Sequence, residues 1–295
     1  MTSSASLHRP AQKEPGEVLA CRINGVLHDR SSSIADDIRS QSVYRHDADA
    51  LPLIRHDAAH ILAQAISELF PGTLFATGPA TESGFYYDVE PEEPITADDL
   101  PRIEARMHEI VARNEPITRE IWDRETALSW CHEQGQDYKA EIINALPADA
   151  VLTFYRQGDF VDLCRGPHLS STAQIGHAFR LLETAGAYWK GDQNRPMLQR
   201  IYGTAWRNEQ ELETWEKRRE EAIRRDHRRL GREMDLFHFQ EEAPGAVFWH
   251  PNGWTLFQTL LAYLRKRQRT EGYVEINTPD IMDLSLWKAS GHWDK

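Results

Sequence analysis

One stretch of seven residues constrains this chain more than any other: Asp162-Leu163-Cys164-Arg165-Gly166-Pro167-His168. It sets a carboxylate, a thiol, a guanidinium and an imidazole around a Gly-Pro pair, which favours a bend after an extended segment. The run before the pair, residues 160–163, is typical of a short strand. We therefore expect the bend to end that strand and to bring Cys164 and His168 to the mouth of one pocket.

A second dense group of polar residues lies far upstream, at Arg55-His56-Asp57-Ala58-Ala59-His60. It opens an apolar-periodic run through residues 61–69, which predicts a helix. On a helix, His56 and His60 are one turn apart and share a face. Two imidazoles on one face, with a thiol and an imidazole on the bend, predict a four-residue cluster of His56, His60, Cys164 and His168.

Several kinds of chemistry fit the four-residue cluster. Its ligand types, and its His-x₃-His and Cys-x₃-His spacing, suit zinc. Without a metal, the same groups can orient a water, move protons and hydrogen-bond a small polar substrate. Cys164 can also act as a nucleophile activated by His168. The alternative without function is a buried thiol beside satisfied core histidines, which is the more frequent situation for any one of these residues alone.

Composition narrows the class of protein. With 295 residues, 40% hydrophobic and 27% charged, the chain should form two or more soluble domains. Three cysteines (Cys21, Cys131 and Cys164) cannot form a disulfide framework, and their odd number fits a reducing cytosol. Residues 1–15 lack the apolar segment of a secretory signal, and no apolar run approaches membrane-spanning length. A net charge of −12 argues against bulk nucleic-acid coating but allows a local basic face. We expect a cytoplasmic protein.

Helix and strand signals together predict an α+β fold with an antiparallel sheet. We expect a flexible lead over residues 1–16, then a hairpin with its turn at Asn24-Gly25. Helices are predicted near residues 56–70, 97–115, 126–132 and 138–146. Strands are predicted near residues 84–88, 117–122, 151–155, 160–163, 178–182 and 197–206.

Two aromatic segments have open interpretations. Gly84-Phe85-Tyr86-Tyr87-Asp88 can supply core packing or place a tyrosine hydroxyl at the edge of the pocket. The segment from Gly186 to Asp192 predicts a turn with exposed aromatics and Lys190. Such a turn can stack a base, hold a phosphate, or simply be well packed.

The C-terminal part predicts a long polar helix over residues 209–234. This helix is either a solvated bridge with ion pairs four residues apart, or a basic face for phosphate. An amphipathic helix over residues 253–271 and a strand over residues 273–276 follow, and Pro279 ends the strand. We expect the chain to stop within a domain at Lys295.

These motifs together resemble the N-terminal part of the bacterial threonyl-tRNA synthetase family, in the family's order, from about residue 50 to Lys295. The similarity continues beyond the motifs given above, through Thr184-Ala185-Gly186-Ala187-Tyr188-Trp189, Leu198-Gln199-Arg200-Ile201-Tyr202-Gly203-Thr204-Ala205-Trp206, Gln240-Glu241-Glu242-Ala243-Pro244-Gly245, Phe248-Trp249-His250 and Gly291-His292-Trp293.

The resemblance implies a domain order. Residues 51–207 would be an editing domain that hydrolyses mischarged seryl-tRNA(Thr), and about 150–206 would be the part shared with alanyl-tRNA synthetases. Residues 208–238 would be a basic linker helix, and residues 239–295 the start of a class II catalytic domain. Its first motif lies at the dimer interface in the family. Residues 1–50 would be the flexible lead and a remnant of a ubiquitin-like domain.

The resemblance also implies roles for individual residues. Editing chemistry would fall to His56, His60, Lys139, Asp162, Cys164 and His168. Substrate binding is expected of Tyr86, Tyr87, Arg165 and Gly166. Contacts with tRNA are expected of Lys190, Arg218, Arg225 and Arg229. In this family the pocket works without a metal, whereas the related alanine-type domain binds zinc with the same ligand pattern.

The second and third class II motifs, with the ATP-binding arginines and the catalytic zinc ligands, would lie beyond Lys295. We therefore expect ATP, Mg²⁺, Zn²⁺, threonine attachment and the homodimer only of a longer enzyme. Of this chain we expect hydrolysis of aminoacyl-tRNA without a cofactor. Two alternatives remain: a standalone zinc-dependent aminoacyl-tRNA deacylase, and a tRNA-binding or dimerising module without chemistry.

Overall fold

The chain divides into two compact units, and the boundary between them lies after Glu216. The computed structural model describes residues 17–29, 40–279 and 282–293. In the first unit helices accompany several antiparallel sheets, so the predicted α+β class is confirmed. The flexible lead predicted for residues 1–16 lies outside the described residues.

The first sheet is small and has the strand order β2-β1-β3, with β1 at Val18–Ile23, β2 at Val26–Asp29 and β3 at Ser40–Tyr44. Asn24 (φ 50°) and Gly25 (φ 84°) turn β1 into β2. Both residues have positive φ, as a two-residue type I′ hairpin requires. The predicted hairpin is therefore confirmed.

This N-terminal sheet shares an apolar core with the rest of the first unit. Leu19, Ala20 and Val43 are buried in the same cluster as Ile54 and Ile61 of the following helix. The sheet is therefore packed into the structure around the site, while the proposed domain boundary at residue 50 remains a prediction.

Helix α1 (Ala50–Leu69) runs through the middle of the first unit, and most of its residues are buried. It begins earlier than the predicted start at residue 56. Its first turn contains Pro52, which a helix tolerates there because that N–H has no intrahelical partner. The helix ends just before Pro71-Gly72, as predicted.

A four-stranded antiparallel sheet packs on α1. Its order is β4-β5-β10-β9, with β4 at Leu74–Phe75, β5 at Phe85–Glu90, β9 at Phe179–Tyr188 and β10 at Met197–Ala205. Helix α2 (Leu100–Arg113) also packs in this core. Its predicted apolar stripe is buried throughout, at Ile103, Met107, Ile110 and Val111.

A second antiparallel sheet has the order β6-β7-β8, with β6 at Ile117–Trp122, β7 at Leu152–Gln157 and β8 at Phe160–Leu163. Between β6 and β7 lie α3 (Arg124–Glu133) and α4 (Asp137–Ala145). These helices pack small and aliphatic side chains against Leu152 and Phe154 in a separate apolar cluster. Strand β8 of this sheet ends at Leu163, directly before Cys164.

The segment from Gly186 to Asp192 matches only part of its prediction as a turn with exposed aromatics, because Tyr188 is exposed and Trp189 is not. Strand β9 continues to Tyr188, and the turn is confined to residues 189–191. Trp189 is only 4% exposed, and its indole stacks edge-on against Tyr138. The indole of Trp189 is buried against α4, so of the three interpretations of this turn the structure favours simple packing.

The predicted single helix over residues 209–234 is wrong, because two helices occupy this range. They are α5 (Glu209–Arg224) and α6 (His227–Glu233). Between them Asp226 accepts hydrogen bonds from the backbone N–H groups of Arg228 and Arg229. An aspartate in this position caps a new helix rather than continuing the old one.

The second unit continues with a short pair, β11 (Phe237–His238) and β12 (Phe248–Trp249), and then α7 (Pro251–Thr270) and α8 (Leu284–Ala289). The strand predicted over residues 273–276 does not form in the part that the structure describes. Its side chains lie exposed, and a strand needs a neighbour for its backbone hydrogen bonds. None of the described helices has the length and apolar character needed to cross a membrane.

Candidate active site

The fold brings the four-residue cluster together. Helix α1 carries His56 and His60, and the bend after β8, residues 164–168, carries Cys164 and His168. One side-chain nitrogen or sulfur of each residue lies within 4.8 Å of those of the others. His56 Nε2 and Cys164 Sγ are 3.0 Å apart. The predicted juxtaposition of distant segments is therefore confirmed.

Gly166 is required by the shape of the bend. Its φ is +68°, in the region that side chains disfavour. A Cβ atom there would also lie 2.1 Å from the hydroxyl oxygen of Tyr155. The peptide from Gly166 to Pro167 is cis. With Gly166 in its positive-φ conformation, the bend places Cys164 and His168 in one cluster.

His168 is held by a buried carboxylate from α1. Its Nδ1 hydrogen-bonds Asp57 Oδ1, and the backbone N–H of Leu169 donates to Asp57 Oδ2 at 2.7 Å. His168 is 1% exposed and Asp57 is fully buried. Burial alone would lower the pKa of His168, but the Asp57 carboxylate raises it to about 10. The ring is therefore an imidazolium at neutral pH.

The other ring nitrogen of His168, Nε2, is buried and has no hydrogen-bond partner within the described part of the chain. It lies across the ring from the Asp57 contact. An unpaired buried polar group in a native fold calls for an explanation such as a ligand or an ordered water.

Cys164 lies among positive and polar donors. Burial would raise the pKa of its thiol, but the imidazoles of His168, His56 and His60 lower it well below the usual range. The backbone N–H of Gly166 also donates to Sγ at 3.3 Å. These donors favour a thiolate. Because the Cys164 sulfur accepts the Gly166 N–H, this donor is already used within the cluster.

His60 belongs to a second buried network, centred on Asp162. The Asp162 carboxylate accepts a hydrogen bond from the Tyr87 hydroxyl at 2.5 Å, and its Oδ1 lies 2.5 Å from Lys139 Nζ. His60 Nδ1 is 3.3 Å from Oδ2 of the same carboxylate. Burial and the charge of His168 lower the pKa of His60. The lowered pKa favours the neutral form of the His60 ring, whose Nδ1 faces Asp162.

Tyr86 and Tyr87 face opposite sides of β5, because successive side chains of a strand alternate. Tyr87 enters the Asp162 network, and Lys139 Nζ lies 3.0 Å from its hydroxyl. Tyr86 instead packs under the guanidinium of Arg200, 3.8 Å from its ring centre. The structure therefore does not bring the predicted substrate contact Tyr86 to the cluster.

The four-residue cluster borders a cleft of about 770 Å³. His56, His60 and Cys164 line its floor, whereas buried His168 lies behind them. Other lining residues include the predicted Arg165 and Gly166 and both members of the Lys139–Asp162 pair. One wall is apolar and consists of Ile142, Leu146, Pro147, Ala150, Val151 and Leu152.

The donor set of the four-residue cluster is suitable for zinc. Three imidazoles and a thiolate are zinc ligands, and the carboxylates beside His60 and His168 resemble the outer partners that orient such ligands. Ordinary Zn–N and Zn–S bond lengths in a tetrahedral site separate the two donors by about 3.6 Å. The 3.0 Å between His56 Nε2 and Cys164 Sγ fits a direct hydrogen bond, so zinc would require these two side chains to move apart.

Three of the four predicted tRNA-binding cations already have acidic partners. Lys190 Nζ donates to Glu141 Oε1 at 2.7 Å. In the second unit, Arg225 pairs with Glu221, and Arg229 pairs with Glu233 at 2.7 Å. Arg218 is exposed. Their role in binding tRNA remains a prediction.

Two carboxylates of the site were not predicted from the sequence. Asp57 stands inside the quoted histidine motif, and a charged residue on the buried side of an apolar helix is a usable signal. Asp29 ends β2, and its carboxylate accepts a hydrogen bond from the backbone N–H of His168 at 2.6 Å. A lone aspartate in a polar stretch offers no such signal.

Comparison with known proteins relates the chain to synthetases. A family model described as "Threonyl and Alanyl tRNA synthetase second additional domain" matches residues 152–202. A threonine–tRNA ligase of Acidiphilium cryptum is 55% identical over 276 residues, which are 94% of this chain and 43% of the relative. The corresponding ligase of Brucella abortus is 51% identical over 293 residues, 99% of this chain and 44% of the relative. The chain thus spans less than half the length of these relatives.

Proposed function

We propose, for a chain related over nearly its whole length to threonine–tRNA ligases, that the cleft above the four-residue cluster hydrolyses mischarged seryl-tRNA(Thr). The observation that carries the proposal is the convergence of Cys164, His56 and His60 at the floor of an open cleft, with the buried His168 imidazole directly behind them. These groups can bind a small polar acyl group and move protons, as ester hydrolysis requires.

A second site is needed because serine is threonine without one methyl group. A synthetic pocket that fits threonine rejects serine only by the lost methyl contact, which is about 1–3 kcal/mol, or roughly 10–200-fold. This is the general double-sieve argument for aminoacyl-tRNA synthetases. A hydrolytic cleft that accepts the seryl side chain and excludes the extra methyl supplies the missing discrimination.

The cleft has the polarity that the end of an aminoacylated tRNA requires. Its apolar wall, from Ile142 to Leu152, suits the flat face of the terminal adenine. Two other lining residues, His56 and Lys139, are placed to position the ester and the ribose. The Lys139 charge is neutralised by Asp162, so this lysine acts through its position rather than as a free cation.

The reaction proceeds by attack of a water oxygen on the ester carbonyl carbon. Neutral His60 takes the water proton on Nε2, while Asp162 holds its Nδ1 side. Cys164 holds the seryl group and orders the water, while buried His168, behind the floor of the cleft, favours the thiolate form of Cys164 by lowering its pKa. The carbonyl–ribose bond then breaks, and the proton passes from His60 to the ribose oxygen. The products are serine and tRNA.

The remainder of the chain fits the same assignment. We propose that residues 51–207 form the editing domain, that residues 208–238 connect it, and that residues 239–295 begin a class II catalytic domain. The full-length enzyme would attach threonine to tRNA(Thr) in the cytoplasm as a homodimer, with ATP, Mg²⁺ and Zn²⁺. Hydrolysis by the cleft needs none of these cofactors.

The experiment is deacylation of Ser-tRNA(Thr) beside Thr-tRNA(Thr), with and without the chelator dipicolinate. We expect rapid loss of serine that the chelator does not slow, while threonine is retained. Metal analysis of the same preparation accompanies the assay.

Other outcomes assign other functions. Chelator-sensitive loss of serine with stoichiometric zinc would make this a zinc-dependent aminoacyl-tRNA deacylase. Tight binding of tRNA without loss of either amino acid would make it a tRNA-binding module, and the proposal would be wrong.

A further inference from the structure

We infer that Asp29, at the end of β2 in the N-terminal sheet, is a positioning residue for the hydrolytic site and acts through His168. The inference rests on the proposed function and deepens it. It places a necessary part of the site in the segment before residue 50, outside the predicted editing domain.

The Asp29 carboxylate forms two hydrogen bonds, one with the bend itself and one with a residue that packs against the bend. Its Oδ1 accepts a hydrogen bond from the backbone N–H of His168 at 2.6 Å, and its Oδ2 accepts one from the Tyr155 hydroxyl at 2.9 Å. Asp29 is 8% exposed, and Tyr155 is 4% exposed. The Tyr155 ring in turn packs 4.0 Å from the His168 ring, centre to centre. One buried carboxylate therefore holds both the backbone and the ring neighbour of His168.

His168 is thus fixed at two independent points. Asp57 from α1 binds its ring, and Asp29 from β2 binds its backbone. Without Asp29, the bend would be held through Asp57 only, by the His168 ring and the backbone N–H of Leu169, and the backbone at His168 itself would lose its acceptor. Cys164 is held separately, because its backbone N–H donates to the Thr153 carbonyl and its carbonyl accepts from the Thr153 hydroxyl, so such a shift moves the His168 ring relative to the cysteine sulfur. Hydrolysis depends on that geometry, and a displacement of about 1 Å can slow a reaction a hundredfold.

The N-terminal sheet is anchored well enough to provide this support. Arg45, just after β3, donates to the backbone oxygens of Arg207 at 3.3 Å and Gln174 at 2.5 Å. Arg22 of β1 pairs with Asp49. Together with the buried Leu19, these contacts fix the sheet to the segments around the site.

The test compares Asp29→Ala with Asp29→Asn and with His28→Ala. An asparagine keeps an oxygen that can accept from the His168 N–H, so it should preserve most of the activity. His28 is the neighbour of Asp29 on the same strand, and its side chain points to the other face. We expect Asp29→Ala to lower kcat for Ser-tRNA(Thr) by roughly ten- to a hundredfold. KM should change little, and His28→Ala should match the unmodified chain.

Two further measurements separate positioning from general destabilisation. In a His168→Ala background, Asp29→Ala should cause no additional loss of kcat, whereas in a His60→Ala background it should. Backbone amide exchange of residues 164–169 should become faster in Asp29→Ala, because the His168 N–H loses its acceptor. This exchange measurement does not depend on catalysis.

Three results would contradict a positioning role for Asp29. An equal loss in the His168→Ala background, a lower melting temperature with unchanged kcat, or unchanged exchange would overturn the inference. If the unmodified chain fails to deacylate seryl-tRNA(Thr), the proposed function falls and the catalytic role of Asp29 with it. Faster exchange in that case would identify a structural contact only.

Discussion

Lys139 Nζ lies 2.5 Å from Asp162 Oδ1, and the side chains of both residues are almost fully buried. The pair connects α4 to β8 beneath the cleft. Burying two opposite charges removes both from water, and only their mutual contact and further hydrogen bonds offset that penalty. Here the Tyr87 hydroxyl supplies one such bond to the carboxylate.

Removing one member of this pair should destabilise the first unit. We expect Lys139→Met to lower the free energy of unfolding by about 3–5 kcal/mol, because Asp162 is left buried and unpaired. The double variant Lys139→Met/Asp162→Asn should recover part of the stability without recovering hydrolysis. Urea unfolding measures the first effect, and Ser-tRNA(Thr) deacylation the second. The exposed pair of Lys190 and Glu141 is the control, and Lys190→Met should change stability by less than about 1 kcal/mol.

Replacing Cys164 or His60 with alanine should slow deacylation of Ser-tRNA(Thr) by about a hundredfold, since each would remove a positioned group from the reaction. Cys131→Ala serves as the matched control, because this buried cysteine packs in the separate core of α3 and α4. Single-turnover deacylation distinguishes the three variants. Rates equal to that of the unmodified chain in both cluster variants would remove them from the mechanism.

Gly166→Ala should impair both folding and hydrolysis. The substitution adds a Cβ 2.1 Å from the Tyr155 hydroxyl oxygen, so the bend must move. Gly191 provides the comparison, since its φ of +74° is similar but nothing lies within 4 Å of an added Cβ. We expect Gly191→Ala to cost about 1–2 kcal/mol of backbone strain with normal hydrolysis. Thermal unfolding and deacylation rates of the two variants test this contrast, and equal behaviour would contradict it.

Glu68, near the end of α1, should contribute to stability in mild acid. Hydrogen bonds from Arg113 lower the pKa of its carboxyl, and a hydrogen bond from Arg106 adds to this effect. Burial raises the pKa, but less strongly, so that the pKa falls to about 2. A group whose pKa falls on folding stabilises the folded state above its ordinary pKa, and this contribution disappears as the pH drops. The loss should occur between about pH 4.5 and pH 2.

The measurement is melting temperature against pH. Glu68→Gln should lower the melting temperature at pH 6 and flatten its decline between pH 4.5 and pH 2. Glu93→Gln, at an exposed position, should follow the unmodified chain. A decline in Glu68→Gln as steep as in the unmodified chain would show that other carboxylates control the acid response.

Local patterns predicted much of the secondary structure. The apolar stripe of α2 and the bounds of β6 follow from periodicity within a few residues, and the structure matches them. The break at Asp226 was missed because a capping aspartate and an ordinary surface aspartate look alike in a charged helix. The strand predicted over residues 273–276 failed because strand formation depends on a partner outside the segment.

The four residues of the cluster could be predicted from the sequence, but the residues that support them could not. His56, His60, Cys164 and His168 lie in two dense local motifs, and the bend could be inferred from Gly166 and Pro167. The supporting residues Asp57 and Asp29 could not be assigned, since each acts on a residue more than a hundred positions away. Strand alternation could have separated Tyr87 from Tyr86, but choosing between them required the position of the core.

The long sequence separations in the cluster also have a consequence for protein synthesis. His56 and Cys164 are 108 positions apart, and Asp29 and His168 are 139 apart. At about 5–20 residues per second, a ribosome needs roughly 5–20 s to add Cys164 after His56. Helix α1 can form during that interval, but the buried histidine motif has no thiol partner. Under the proposed function, the cluster is therefore incomplete until β8 and the bend have emerged, so hydrolysis of seryl-tRNA(Thr) would report that these distant segments have come together.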